Sequence, residues 1–136
     1  ALACRADGLH VGQNDMEASE ARRLLGPDRI LGVTAKTVDQ ARKAQAAGAD
    51  YLGSGAIFGT STKADARPMT METLNAICDC VDIPVVAIGG LNETNIHNLA
   101  GTGVDGVALV SAIFAKDDIV SATRELRSLS EAMTKS

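Results

Sequence analysis

The stretch Gly48-Ala49-Asp50-Tyr51-Leu52-Gly53-Ser54-Gly55-Ala56-Ile57-Phe58-Gly59-Thr60-Ser61-Thr62-Lys63 contains the whole passage from a helix end to a strand and its loop. Gly48 stands where a helix should stop, because glycine tolerates the left-handed turn found there. Residues 51–57 form an apolar run of strand length. The loop after it gathers three hydroxyls and an ammonium, Thr60-Ser61-Thr62-Lys63, which can supply several donors to a diphosphate. Turn chemistry alone also makes hydroxyl-rich loops, so the place of this one after a strand is what raises its interest.

Outward from that stretch the same lead into a strand recurs. Ala6-Asp7-Gly8 and Gly103-Val104-Asp105-Gly106 repeat the turn of Gly48-Ala49-Asp50. Five short apolar runs, at residues 8–12, 30–35, 51–57, 85–89 and 106–110, alternate with helix-like segments, the signature of βα units on a parallel sheet. Continuous runs such as Val85-Val86-Ala87-Ile88 predict strands covered on both sides. The helices repeat one face every three or four positions, mostly with apolar residues: Val38, Ala41 and Gln45 flanked by Ala44; Met71, Leu74, Ile77 and Val81; Ile119, Thr123, Leu126, Leu129 and Met133. Thr37, Thr70 and Asn92 are expected to cap helix starts, and Gly101 and Gly103 to mark stops.

In such a protein ligands bind beyond the carboxyl ends of the strands. The residues there are Gly12-Gln13-Asn14-Asp15, Thr34-Ala35-Lys36-Thr37, Gly59 to Lys63, Gly89-Gly90 and Ser111. Gly89-Gly90 lets backbone amides approach an anion, although a tight turn explains the pair equally well. Asp15 is a candidate Mg2+ ligand, or else a cap or dipole partner for the helix carrying Glu17, Ser19 and Glu20. His10 reads as a hydrogen-bonded core residue and His97 as a solvent-facing one.

Composition narrows the classes. The chain has 136 residues, 46% hydrophobic and 22% charged, enough for one folded domain with a real core. A net charge of -4, with two Phe, one Tyr and no Trp, argues against nucleic acid as a partner. No apolar run approaches the roughly 18 residues that span a bilayer. Cys4, Cys78 and Cys80 fit no common zinc or redox spacing and read as free thiols in a reducing compartment. The start, Ala1-Leu2-Ala3-Cys4-Arg5, lacks the features of a signal peptide and reads like the tail of a helix cut in the middle. Five units of this size also suit an open flavodoxin-like sheet, and length alone favours that fold.

Read together, the strand-end motifs reverse the preference, because their order resembles thiamine-phosphate synthase. Ala6 through Asp15 resembles the family's A-D-G-V-H-L-G-Q-x-D, and Leu31-Gly32-Val33-Thr34 its I-G-V-S. Gly48 through Lys63 resembles G-A-D-Y-V-G-x-G-P-x-F/Y-x-T-x-T-K. Residues 84–90 and 103–113 resemble P-V-V-A-I-G-G and G-A-D-G-V-A-V-V-S-A-I. The resemblance implies an α/β fold of the TIM (β/α)8-barrel family, here a partial barrel of about five βα units, with residues 1–136 forming the carboxyl-terminal part of one barrel domain.

It further implies a Mg2+-dependent transferase of thiamine biosynthesis. Such an enzyme joins 4-amino-2-methyl-5-hydroxymethylpyrimidine diphosphate to a thiazole phosphate and releases pyrophosphate. Carried over by residue, Asp15 binds Mg2+, and Thr34 and Lys63 contact the departing pyrophosphate as the catalytic pair. Thr60 and Thr62 belong to the thiazole-phosphate side, where Gly89, Gly90, Val110 and Ser111 complete the phosphate pocket. Thr34 stands where the family usually has Ser; Ala56 and Gly59 stand where Pro is common. The family's first three units, with a second Mg2+ Asp and further pyrimidine-diphosphate ligands, have no counterpart here, so this chain alone is expected to be inactive or very weak.

The expected partners are small-molecule substrates, with homo-oligomers compatible, in the cytoplasm, without excluding an organelle. Two rivals remain at this stage. A thiazole tautomerase shares the fold but carries a catalytic His where Lys36 stands here. A non-catalytic phosphate-binding domain on an open sheet would need nothing outside these residues.

Overall fold

The computed structural model describes residues 1–58 and 68–135. Five strands form one parallel sheet in the order β1-β2-β3-β4-β5: β1 Gly8–Val11, β2 Ile30–Thr34, β3 Tyr51–Ser54, β4 Val85–Ile88 and β5 Gly106–Ala108. A doubly wound sheet reverses its strand order at a switch point, and this sheet never does. Each strand is laid beside the one before it, which is how a (β/α)8 barrel is wound. All five expected strands are present. Each ladder closes earlier than its apolar run, since Ala35 and Ile57 are buried yet lie beyond the last paired residues.

The helices are α1 Ala18–Leu25, α2 Val38–Ala46, α3 Met71–Cys80, α4 Ser111–Phe114 and α5 Ile119–Thr134. Thr37 and Thr70 cap α2 and α3 as expected, their hydroxyls accepting from the amides of Gln40 and Thr73 at 3.1 Å each. Asn92 does not start an α-helix. Its side chain accepts from the Thr94 amide at 2.9 Å in a local turn, and only a 3-10 turn, Ile96–Leu99, follows. Residues 1–5 form turns rather than the tail of a helix, with the Arg5 amide donating to the Leu2 carbonyl.

Helices cover one face of the sheet. Leu31, Val33, Leu52, Val85 and Ala87 point into a single core with Ala41, Ala44, Leu74, Ile77 and Leu99. The alternate positions face the other way. Val86 is half-buried, Ile88 is 41% exposed, and His10, Thr34, Tyr51 and Gly106 share their side of the ladder. The expectation of strands covered on both sides therefore fails among the described residues. The continuous apolar run of β4 reports a barrel-type strand whose second face looks toward the barrel interior, where no helix packs.

The repeated turn has a physical role. Asp50, leading into β3, accepts from the Leu31 amide of β2 at 2.7 Å, and Asp105, leading into β5, accepts from the Val85 amide of β4 at 2.9 Å. Each carboxylate thus satisfies a strand-start donor at the amino end of the neighbouring strand. Arg22 of α1 ties the same end together, donating to the carbonyls of Gly26, Arg29 and Gly48 and to Asp50.

Candidate functional site at the carboxyl ends of the strands

Thr34 is the last residue of β2, and Asp15 lies four residues past the end of β1. Both lie beside Gly12. A methyl group at Gly12 would lie 3.2 Å from Asp15 Oδ2, tighter than an ordinary contact, and 4.0 Å from Thr34 Oγ1, so the bare glycine leaves room for the carboxylate. The Gly12 amide donates to Asp15 Oδ2 at 2.7 Å, and Gln13 Nε2 donates to the Thr34 carbonyl at 2.5 Å, fastening the β1 loop to the β2 end. Asp15 is not a helix cap. Position 17 precedes α1 without any side-chain cap, and the Asp15 carboxylate turns back to the strand end instead.

His10 is hydrogen-bonded, as expected, but it stands on the open face rather than in the core. Nδ1 lies 2.9 Å from the Tyr51 hydroxyl and Nε2 lies 2.9 Å from Thr34 Oγ1. Partial burial pulls the His10 pKa below its ordinary value, with the Asp15 charge opposing that shift. His97 is exposed.

Across β3 lies a second group. Gly89 and Gly90, past the end of β4, take left-handed φ values of 104° and 67°, and Asn95 Nδ2 holds the Gly90 carbonyl at 2.9 Å. A methyl group at Gly89 would collide with Ala56 at 2.6 Å, so only glycine lets these two loops touch. Val110, 67% exposed, precedes α4, and Ser111 opens that four-residue helix at the surface. Barrels commonly bind phosphate in this region, at the loops after the last two strands with a short extra helix. Thr60, Thr62 and Lys63 lie outside the described residues.

Other chemistry is disfavoured. Burial, with Asp105 and Asp79 nearby, pushes the Cys78 thiol up to about 11, far from a reactive thiolate, and Cys4 and Cys80 are also free. A cleft of about 240 Å3 beside α4 and α5 is lined by Glu93, Asp117, Asp118 and Glu125 against one Lys116, which repels a phosphate. Among the described residues no group of three His, Cys, Asp or Glu side chains could cage a metal, and no helix is long and apolar enough to cross a membrane. Asp15 still suits Mg2+, which commonly takes one or two carboxylates and completes its shell from substrate phosphates and water.

Comparison with known proteins agrees with this geometry. The sequence model of a family described as thiamine monophosphate synthase matches residues 1–113. The thiamine-phosphate synthase of Clostridium tetani is 51% identical over 93% of this chain and 60% of its own length. That of Moorella thermoacetica is 52% identical over 93% of this chain and 61% of its own. The thiamine phosphate pyrophosphorylase of Pyrococcus furiosus superposes with a TM-score of 0.87 at 42% identity, covering 97% of this chain and 63% of that one. This chain therefore spans about three-fifths of the length of the curated relatives it matches. With the family model matched over residues 1–113, the five motifs in order and an unreversed parallel sheet, the chain belongs to the thiamine monophosphate synthase family.

Proposed function

We propose that this chain carries the leaving-group and thiazole-phosphate side of a synthase that forms thiamine phosphate from the pyrimidine diphosphate and the thiazole phosphate. The observation that supports it most is that Asp15 Oδ2 and Thr34 Oγ1 both lie within 4.0 Å of one point over Gly12, a carboxylate and a hydroxyl at the carboxyl ends of adjacent strands, where folds of this kind bind ligands. In this reading Thr34 and Lys63 donate to the departing pyrophosphate. Thr60, Thr62, Gly89, Gly90, Val110 and Ser111 hold the thiazole phosphate. Asp15 would hold Mg2+, which when bound neutralises charge on the leaving diphosphate.

The chemistry is dissociative. The bond between the pyrimidine methylene carbon and the diphosphate oxygen breaks, the electron pair leaves with pyrophosphate, and the thiazole nitrogen supplies the new pair to the carbon. Fixed donors help by stabilising charge as it develops on the leaving oxygens. No nucleophilic side chain is required. The tautomerase reading is weaker, because Lys36 occupies the position of that catalytic His.

The relatives are longer, so in this reading residues 1–136 are the carboxyl-terminal part of one barrel domain, working in the cytoplasm on small molecules. Purified chain with both substrates and Mg2+ should give no or very slow turnover. Mixing it with the first three βα units of a close relative should restore thiamine phosphate formation. Folded chain that stays inactive in the mixture would sink the synthase reading and favour a binding domain.

A further inference from the structure

We propose that Tyr51 and His10 are positioning residues that fix the proton of the Thr34 hydroxyl, a relay that keeps Thr34 a donor to the leaving diphosphate. This rests on the synthase reading for what the donor serves, but the relay itself is a property of the three side chains. They come from three adjacent strands: His10 pairs with Gly32, and Gly32 with Tyr51, in the sheet ladder. His10 Nδ1 is 2.9 Å from the Tyr51 hydroxyl and Nε2 is 2.9 Å from Thr34 Oγ1. The ring centroids are 5.6 Å apart.

Two glycines make the space. A methyl group at Gly32 would lie 2.1 Å from the Tyr51 ring, and one at Gly53 would lie 3.1 Å from His10 Cε1. Any larger residue at position 32 would displace the tyrosine. Both rings therefore lie over bare backbone, Tyr51 across Gly32 and His10 across Gly53.

A neutral imidazole has one donor and one acceptor, so only two proton arrangements satisfy both contacts. In one, Nδ1–H donates to Tyr51 and Nε2 accepts the Thr34 proton, which leaves Thr34 with lone pairs facing an anion. In the other, the Tyr51 hydroxyl donates to Nδ1, Nε2–H donates to Thr34 Oγ1, and the Thr34 proton is free to point at a phosphate oxygen. Only the second arrangement serves an anionic leaving group. The tyrosine hydroxyl favours it, because a phenol is a stronger donor and a poorer acceptor than the Thr34 alcohol. Burial lowers the His10 pKa, which keeps the ring in the neutral form the relay needs.

The chain has two histidines, His10 and the exposed His97, so ring-labelled protein gives two imidazole signals and His97 serves as the internal reference. Long-range proton–nitrogen spectra of the folded chain at neutral pH should show His10 as one fixed tautomer protonated at Nε2. Tyr51→Phe should release it toward the averaged pattern of His97. His10 protonated at Nδ1, or already averaged in the unsubstituted chain, overturns the relay.

The turnover test uses the chain assembled with the missing units. Tyr51→Phe should lower kcat about 10-fold with the thiazole-phosphate KM unchanged, and should have almost no effect once Thr34→Val is present. Equal losses from Tyr51→Phe in both backgrounds would mean that it acts elsewhere. If the unsubstituted assembly does not turn over, the synthase reading fails, while the tautomer still decides the relay.

Discussion

The two ends of the sheet spend the same kinds of side chain differently. At the amino end Asp50 and Asp105 bond strand-start amides, and Arg22 holds three carbonyls and a carboxylate, so these three charged side chains are committed to the fold. At the carboxyl end the Asp15 carboxylate accepts from the Gly12 amide, and His10 bridges Thr34 and Tyr51 on a face that no helix covers among the described residues. The barrel architecture allows this division, because the loops that change with function leave from one end only. Substitutions should separate accordingly: amino-end changes should move stability, and carboxyl-end changes should move binding and rate.

Arg22→Ala should give the largest loss of stability. The guanidinium is mostly buried, with 19% of its side chain exposed, and its removal strands the Gly26, Arg29 and Gly48 carbonyls together. Urea unfolding of the chain should show a loss of about 3 kcal/mol. A change within about 0.5 kcal/mol would erase the contrast between the two ends.

Thr34→Val tests the opposite end. The shape is nearly kept, so stability should change by less than about 1 kcal/mol, while the assembled enzyme should lose about 100-fold in kcat/KM, the scale for removing one fixed donor from a developing anion. Loss of stability with rate per folded molecule intact would place Thr34 with the structural residues.

A smaller effect separates charge from hydrogen bonding at the amino end. The Leu31 amide and, after it, Arg22 hold the Asp50 carboxyl below its ordinary pKa. A depressed folded-state pKa adds stability that is complete above the unfolded value, about 3.9, and disappears as pH falls through the lower folded value. The chain should therefore be more stable than Asp50→Asn at neutral pH, and the gap should close as pH drops below about 4. Unfolding midpoints across that range check the sign. A gap that widens in acid would mean the carboxylate is not what Leu31 and Arg22 hold.

How much of this was legible in the sequence follows from how local each feature is. The strands and α2, α3 and α5 were readable because apolar spacing reports which positions are buried. Ladder ends were not, since Ala35 and Ile57 are buried and each still donates its amide to the neighbouring strand, yet both lie past the last residues in strand register, and burial is all that an apolar run encodes. The turn at Asn92 was missed because an Asn that caps a helix and an Asn that closes its own turn look alike in sequence. Thr34 and Asp15 were legible from their place just after strands. The contacts of His10 were not, because Tyr51 lies 41 residues away and the space between them depends on Gly32.

Ser54 should give the smallest effect, with the opposite sign. Its hydroxyl is fully buried at the end of β3 and has no hydrogen-bond partner among the described residues, on the helix-covered face beside Ala87. A polar group taken from water without a partner costs stability, and its replacement by an apolar group of similar size removes that cost. Ser54→Ala should therefore raise stability by up to about 1 kcal/mol, measured by the same urea titration, and leave the rate of the assembled enzyme unchanged. A loss of stability would show that the hydroxyl is hydrogen-bonded in the folded chain. Ser54 would then belong with the carboxyl-end residues whose polar groups are kept for the site rather than for the fold.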